Sequence, residues 1–429
     1  MRNVGSRRVL NKGGWKDVAV VDSDFDWLPF TIQRRGSKFR AKNFDLFRYA
    51  NKTGTHYYVD VNNGSNGNDG LSWATAKQDI WNVAAAAGEN DIIHIAEGIY
   101  WYGPDAGGAS EGGYQGSPDC CMIGHGDVIL TSCYRTSYRV WTKVDNHYES
   151  DSFTMDEGLR TIWDRTSTET DGSYTELTAR ENVNDVDSNA GSWYFDADAN
   201  TIYIRTHDDR APDDYLMIAG DGRSGCSMAT SAADKTYYLE NIKFMFSGYR
   251  HLRAYTLADY TLKILVKNCT FSHSGYTYGL VDLDGCFSIF EDCTFEHSVN
   301  AGDGIDYEQI QSSPDPKGIE INCRFNNIRG QSNDQCSTYH DASKIVRIGG
   351  EYSNSEAQVI AEDDEGGKAW LLGCILHDSD SGYGYWGADA WLDRCYIYNC
   401  SNYGIKSVGT VRTRKCYVPD GTDGTVEEY

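Results

Sequence analysis

The sequence predicts an all-β fold: a single-stranded right-handed parallel β-helix with an N-terminal capping helix and an extended N-terminal arm. Three observations predict it. A short phrase recurs through the C-terminal half at the length of one solenoid coil, residues at fixed offsets within the phrase form columns of like chemistry, and the composition suits short strands joined by turns. Gly 44 and Tyr 30 stand against Pro 7 and Met 6, with short apolar runs, a pattern of strands rather than of long amphipathic helices.

The repeat is anchored at Cys269, Cys293, Cys323, Gly350, Cys374, Cys395 and Cys416, which lie 24, 30, 27, 24, 21 and 21 residues apart. A regular spacing in this range marks a stacked repeat. Small side chains at the anchor suit a narrow interior where coils stack directly. Two residues on come Phe271, Phe295, Phe325, Tyr352, Leu376, Ile397 and Val418, on the same face by the period of two along a strand. Burying each contributes about 2 kcal/mol. Four residues after the anchor stand His273, His297, Asn327, Asn354, Asp378, Asn399 and Asp420. Polar residues recurring at strand ends satisfy backbone groups in turns, so His273 and His297 are read as structural. Ile242 anchors an earlier coil by the same pattern.

The chain carries 13 cysteines and no Cys-x2-Cys, so no zinc site is expected. The column cysteines read as stacked, reduced thiols; the off-column Cys120, Cys121, Cys133, Cys226, Cys286, Cys336 and Cys400 are the better candidates for bridges.

Near the start, Tyr57–Ala76 holds a strand followed by a Gly/Asn/Asp-rich turn, then a helix expected over Ala76–Ala87 and a strand over Asp91–Ala96. This passage resembles the opening of pectate-lyase-like parallel β-helix proteins, where a short helix covers the open end of the core. Gly191–Asp196 with Asn200–Ile204 resembles the β-hairpin insertion many of these proteins carry. Asp303–Tyr307, Ile319–Asn322 and Ser337–Ser343 followed by Arg347–Gly350 resemble β-helix proteins of tailed phages and prophages. The resemblance implies a virion protein (spike, fibre or decoration) that contacts host-surface polysaccharide, with virion location after host lysis. The expected organisation is residues 1–54 as a basic arm, 55–100 as cap and first coil, 101–235 as elaborated early coils, 236–418 as regular coils and 419–429 as a C-terminal tail.

The net charge of −24 is uneven: residues 1–50 carry eleven Lys/Arg against five Asp, so this segment is basic and the rest strongly acidic. An acidic body repels phosphate, so the basic arm is expected to dock on another virion protein rather than on nucleic acid. A second copy of the chain is another candidate partner. No run of 18 apolar residues suggests a membrane span, and the N-terminus shows no apolar signal-peptide core.

Counting back from the anchors places Asp282, Asp284, Asp303, Asp306, Glu308, His340, Asp341, Glu362, Asp363 and Asp364 on one face. Carboxylates on neighbouring coils stand about 5 Å apart and on alternate coils about 10 Å, which brackets the spacings of retaining and inverting glycosidases. The catalytic candidates are Asp306, His340, Asp341 and Asp363; the same cluster has donors suited to Ca2+, though no cofactor is required. Tyr383, Tyr385, Trp386 and Trp391 are the carbohydrate-binding candidates, since flat rings stack on sugars; packing against a partner subunit is the competing role. The alternative to the virion reading is a polysaccharide lyase or glycoside hydrolase acting on host capsule or exopolysaccharide.

Overall fold

The computed structural model describes residues 14–84, 86–88, 90–101, 114–116, 121–151, 159–220, 225–230, 233–256, 260–275, 279–298, 302–309, 313–329, 334–363, 366–387 and 389–429. It is nearly all-β, and its main body is a stack of coils in which each strand pairs in parallel with the third strand after it. Three ladders result. The first runs through Cys226–Thr230, Leu252–Thr256, Val281–Asp284, Ile305–Glu308, Ser337–His340 and Gln358–Asp363. The second runs through Lys235–Glu240, Leu262–Lys267, Phe287–Glu291, Lys317–Ile321, Lys344–Ile348, Lys368–Leu372 and Asp389–Asp393. The third runs through Lys243–Ser247, Thr270–Ser274, Thr294–Ser298, Arg324–Ile328 and Glu351–Ser355, and the long strands Ile375–Tyr385 and Tyr396–Arg414 continue it.

The aromatic column sits in register: Phe271, Phe295, Phe325, Tyr352, Leu376 and Ile397 are successive ladder partners. The rings of Phe244, Phe271, Phe295, Phe325 and Tyr352 stack at 4.9, 5.1, 4.4 and 4.8 Å. Cys269, Cys293, Cys323, Cys374 and Cys395 lie buried beside them, and the described cysteines, off-column ones included, are free thiols; Cys120 lies outside the described residues.

Two long strands, Ile92–Trp101 and Cys121–Thr131, form the early coils, and the latter pairs directly with Lys235–Glu240 and Lys243–Ser247. The described residues between Thr131 and Cys226 are therefore an excursion from the stack. It includes an antiparallel hairpin of Ser192–Asp196 and Thr201–Arg205 extended by His147–Ser150, and a second sheet of Leu159–Thr168 with Leu216–Gly220. The helix near the first coil is shorter than expected, Ile80–Ala84, because Lys77 bridges to Val59 in parallel and Asp79 accepts from the Asn82 N–H at 2.9 Å, fixing the start. Its Ile80 and Val83 bury against Val59 and Ile93. At the other end the expected tail supplies one more strand, Thr422–Glu428.

The extended arm is corrected. Residues 14–50 fold back over the second ladder, whose outward face carries an apolar row. Phe25, Ile32, Phe39 and Leu46 bury against Tyr238, Leu265, Ile289, Ile319, Val346, Trp370 and Trp391. Asp22 and Asp24 meet Lys368 at 3.2 and 2.6 Å. An outward row of aliphatic and indole side chains would otherwise face water, and the N-terminal segment is its cover.

Candidate active site

The first ladder alternates between core and surface. Val281, Leu283, Ile305, Tyr307, Tyr339 and Ile360 enter the core, so the residues between them face outward. Register aligns these in two columns. One is Arg253, Asp282, Asp306, Thr338, Ala361 and Gly384. The other begins Tyr255, Asp284, Glu308 and continues through His340, paired with Asp363.

The acids crowd at the head of these columns. Asp282 and Asp284 are buried, at 2% and 0% exposure. Arg250 Nη1 lies 2.7 Å from Asp282 Oδ2, and Arg253 Nη2 lies 3.7 Å from Asp284 Oδ2. Burial still dominates: it lifts Asp282 to about 6 against the pull of both arginines, and lifts Asp284 to about 8 with Asp282 adding repulsion. Asp306 is pushed well above the usual carboxylate range, first by burial and then by Asp303, Asp282, Glu308 and Asp284. Opposed acids in a poorly hydrated site cannot all ionise. Among the described residues, Asp282 Oδ1, both oxygens of Asp284 and Asp306 Oδ1 have no hydrogen-bond partner.

Asp282, Asp284 and Glu308 each bring a carboxylate oxygen within 4.8 Å of the others, a donor set that a hard divalent cation accepts. The two arginines already serve the first two members electrostatically.

The sequence candidates divide. Asp306 keeps 13% of its side chain exposed, and His340 Nε2 stands 3.5 Å from its Oδ1. Asp363 pairs with His340 in the ladder; its side chain lies outside the description, as does Asp364. Asp341 sits at φ 60, and its Oδ2 accepts from the Gln309 N–H at 3.0 Å, holding the turn after Ile305–Glu308. Glu362 leaves the acidic face, because it alternates inward with Ile360 and pairs with Arg347 in the core. Tyr383 and Tyr385 are corrected for the same reason: both are fully buried and stack on no external ligand. Trp391 is 6% exposed, covered by Phe25 at a ring separation of 6.0 Å. Trp386 alone of the four aromatic candidates stays half-buried at the surface. Sequence reasoning missed Arg250 and Arg253; the signal was their place one coil before Asp282.

No protein-family model matches the sequence, and no curated protein matches it. Among solved structures, XylC in complex with xylose is similar at 14% identity and a TM-score of 0.50, covering 87% of this chain and 70% of that one. A glycoside hydrolase is similar at 11% identity and a TM-score of 0.46, covering 87% and 96%. Pectate lyase Pel9A is similar at 10% identity and a TM-score of 0.43, covering 87% and 77%. The likeness to XylC is one of fold, stacked parallel β-coils.

Proposed function

We propose that this chain is a glycoside hydrolase that works from the acidic face of a right-handed, pectate-lyase-like β-helix. Right-handedness follows from the sense that nearly all parallel crossovers take. The observation that supports the activity is Asp306, 13% exposed and pushed well above the usual carboxylate range by burial and neighbouring acids, with Glu308 two residues on along the same strand and face. Strand rise sets their Cα atoms roughly 6.6 Å apart, from which the two side chains can reach the separation of about 6.5–9.5 Å at which inverting glycosidases hold acid and base. Asp306 gives its proton to the glycosidic oxygen as the bond to the anomeric carbon breaks. Glu308 takes a proton from the water that attacks that carbon from the opposite side. Burial first, and then Asp303, Asp282, Glu308 and Asp284, push Asp306 toward its acid form, and His340 borders it.

The test is incubation with a panel of plant and bacterial glycans, capsule and exopolysaccharide included, followed by assay of new reducing ends. Asp306→Asn is expected to lower kcat by about 10²–10⁴-fold, the usual worth of a general acid, and NMR of the first product is expected to show inversion. Folded protein that yields no product from any glycan would overturn the reading.

A further inference from the structure

Outside the acidic face, the first three coils carry histidines that the proposed chemistry leaves unused. His56–Val59 pairs with Ile92–Trp101, which pairs with Cys121–Thr131. Val59, Ile93, Ile95 and Met122 enter the core, so His56, His94 and His125, of the opposite parity, face outward. His56 Nδ1 lies 2.8 Å from His94 Nε2, and His94 Nδ1 lies 2.8 Å from His125 Nε2. A neutral imidazole has one N–H and one lone pair, so His94 donates on one side and accepts on the other. It is half-buried and stacks on Tyr58 at 5.1 Å, whereas His56 and His125 are exposed. Trp73 holds His125 edge-on at 5.4 Å. Among the described residues the one ring in contact with His56 is His94, at 5.1 Å, so His56 is the freer of the two outer rings.

We infer that these imidazoles form a site for a divalent transition-metal ion of the copper–zinc class, with His56 Nδ1 and His94 Nε2 as ligands and His125 as the positioning residue behind them. Bonds of about 2.0–2.1 Å meeting at a right or a tetrahedral angle put two nitrogens roughly 2.9–3.4 Å apart. The pair now at 2.8 Å therefore has little distance to open. The exposed His56 ring turns to aim its Nδ1 lone pair at the ion and carries its own proton on Nε2, while His94 keeps its N–H on Nδ1 and donates it to His125 Nε2. No proton is released, and the outer hydrogen bond fixes the tautomer and the orientation of the ligand ring, as such bonds do for metal-bound histidines. His94 spends one nitrogen on each neighbour, so the three rings do not converge on one point, and water completes the shell of the ion. Ligand type selects the metal: imidazole suits copper, nickel and zinc, whereas Asp282, Asp284 and Glu308 offer the carboxylate oxygens that suit calcium or magnesium. The three histidines come from three successive coils, so the ion ties together the end of the stack beside the helix Ile80–Ala84. The site does not depend on the hydrolase reading.

The test is equilibrium dialysis of the full chain, stripped with a chelator, against Cu2+ and against Zn2+. One ion per chain is expected, copper the tighter of the two, with electron paramagnetic resonance of the copper form showing coupling to imidazole nitrogen. His56→Ala and His94→Ala are expected to abolish stoichiometric binding, and His125→Ala to weaken it about tenfold or more, the usual cost of losing an outer partner. His207→Ala, which removes an exposed histidine elsewhere, is expected to leave it unchanged. The ion is also expected to raise the unfolding midpoint of the parent chain and not that of His94→Ala, with His94→Gln taking its place if the alanine variant does not fold. Binding by the parent chain that is no tighter than that of His94→Ala overturns the site. So does copper retained by His94→Ala and lost by Asp284→Asn, which assigns the ion to the acidic cluster.

Discussion

Each coil turns two corners on single left-handed residues. Just before the anchors, Asn241, Asn268, Asp292, Asn322, Gly349 and Gly373 have φ between 49 and 68, and four residues after the anchors His273, His297, Asn327, Asn354, Asp378 and Asn399 have φ between 55 and 63. Asparagine, aspartate and glycine tolerate this region, whereas a long side chain is strained there by about 1–2 kcal/mol. Arg394 and Lys415 break the rule at φ 58 and 55. Lys415→Asn is therefore expected to stabilise the last coil by about 1 kcal/mol, read as a higher unfolding midpoint; a lower midpoint would show that the lysine makes a contact worth more than the strain. The asparagines add a bonus of their own, since Asn268 Nδ2 donates to Asn241 Oδ1 at 2.7 Å and Asn322 Nδ2 to Asp292 Oδ1 at 3.1 Å. The corner four residues after the anchor was legible in the sequence as a polar column. The corner before it was equally visible in Asn-Cys-Thr-Phe and Asp-Cys-Thr-Phe, and its meaning is conformational.

At the scale of elements, the second ladder carried a signal that the repeat columns did not use. Lys344–Ile348 and Lys368–Leu372 read Lys-Ile-Val-Arg-Ile and Lys-Ala-Trp-Leu-Leu, with Val346, Ile348, Trp370 and Leu372 on the outward face and Ile345, Ala369 and Leu371 on the inward one, and strands with apolar residues on both faces are buried on both sides. A solenoid interior accounts for one face only, so the other needed a cover, which the N-terminal segment supplies. Its basic charge drew attention away from Phe25, Ile32, Phe39 and Leu46, the residues that seat it. Phe25 is fully buried, 5.8 Å from Trp370 and 6.0 Å from Trp391 by ring centroids. Phe25→Ala is expected to cost about 3 kcal/mol and to open the segment to limited proteolysis while residues beyond 55 stay resistant. Protection equal to that of the parent chain would mean the seat is held elsewhere. The acidic face was legible because the period of two fixes which residues of a strand point out. Glu362 was misplaced because a window counted back from the anchor takes in neighbouring residues of both parities, and Tyr385 because it was chosen for its ring alone; one step of parity moves a side chain from the outer face to the core.

The whole molecule stores protons. In the core, Arg347 lies between Glu320 and Glu362, all three fully buried, with Tyr352 Oη donating to Glu320 Oε2 at 2.7 Å and Arg347 Nη2 donating to Ser337 Oγ at 2.8 Å. One guanidinium and two carboxyls balance only if one carboxyl is protonated, and burial, outweighing Arg347, raises Glu362 to about 8. On the acidic face burial raises Asp303 to about 7 and Asp284 to about 8. Between the ordinary carboxylate range and these values the folded chain binds protons that the unfolded chain has released, so stability falls as pH rises. Buried His251 and His273, depressed by burial to about 3, act in the opposite sense, but only below their ordinary value of 6.5. From pH 6.5 upward the carboxyls act first, joined toward pH 8.5 in the same sense by buried thiols such as Cys133 and Cys269, which burial raises to about 12, and the unfolding midpoint is expected to decline steadily across that window. Glu362→Gln keeps the shape and the neutral form of the side chain, and so is expected to flatten the decline without lowering the midpoint at pH 8.5. A midpoint that holds level or rises from pH 6.5 to 8.5 in the parent chain would mean that Glu362, Asp284 and Asp303 are ionised in the fold, and the acid role given to Asp306, which shares the burial and the neighbours of Asp284, would lose its basis.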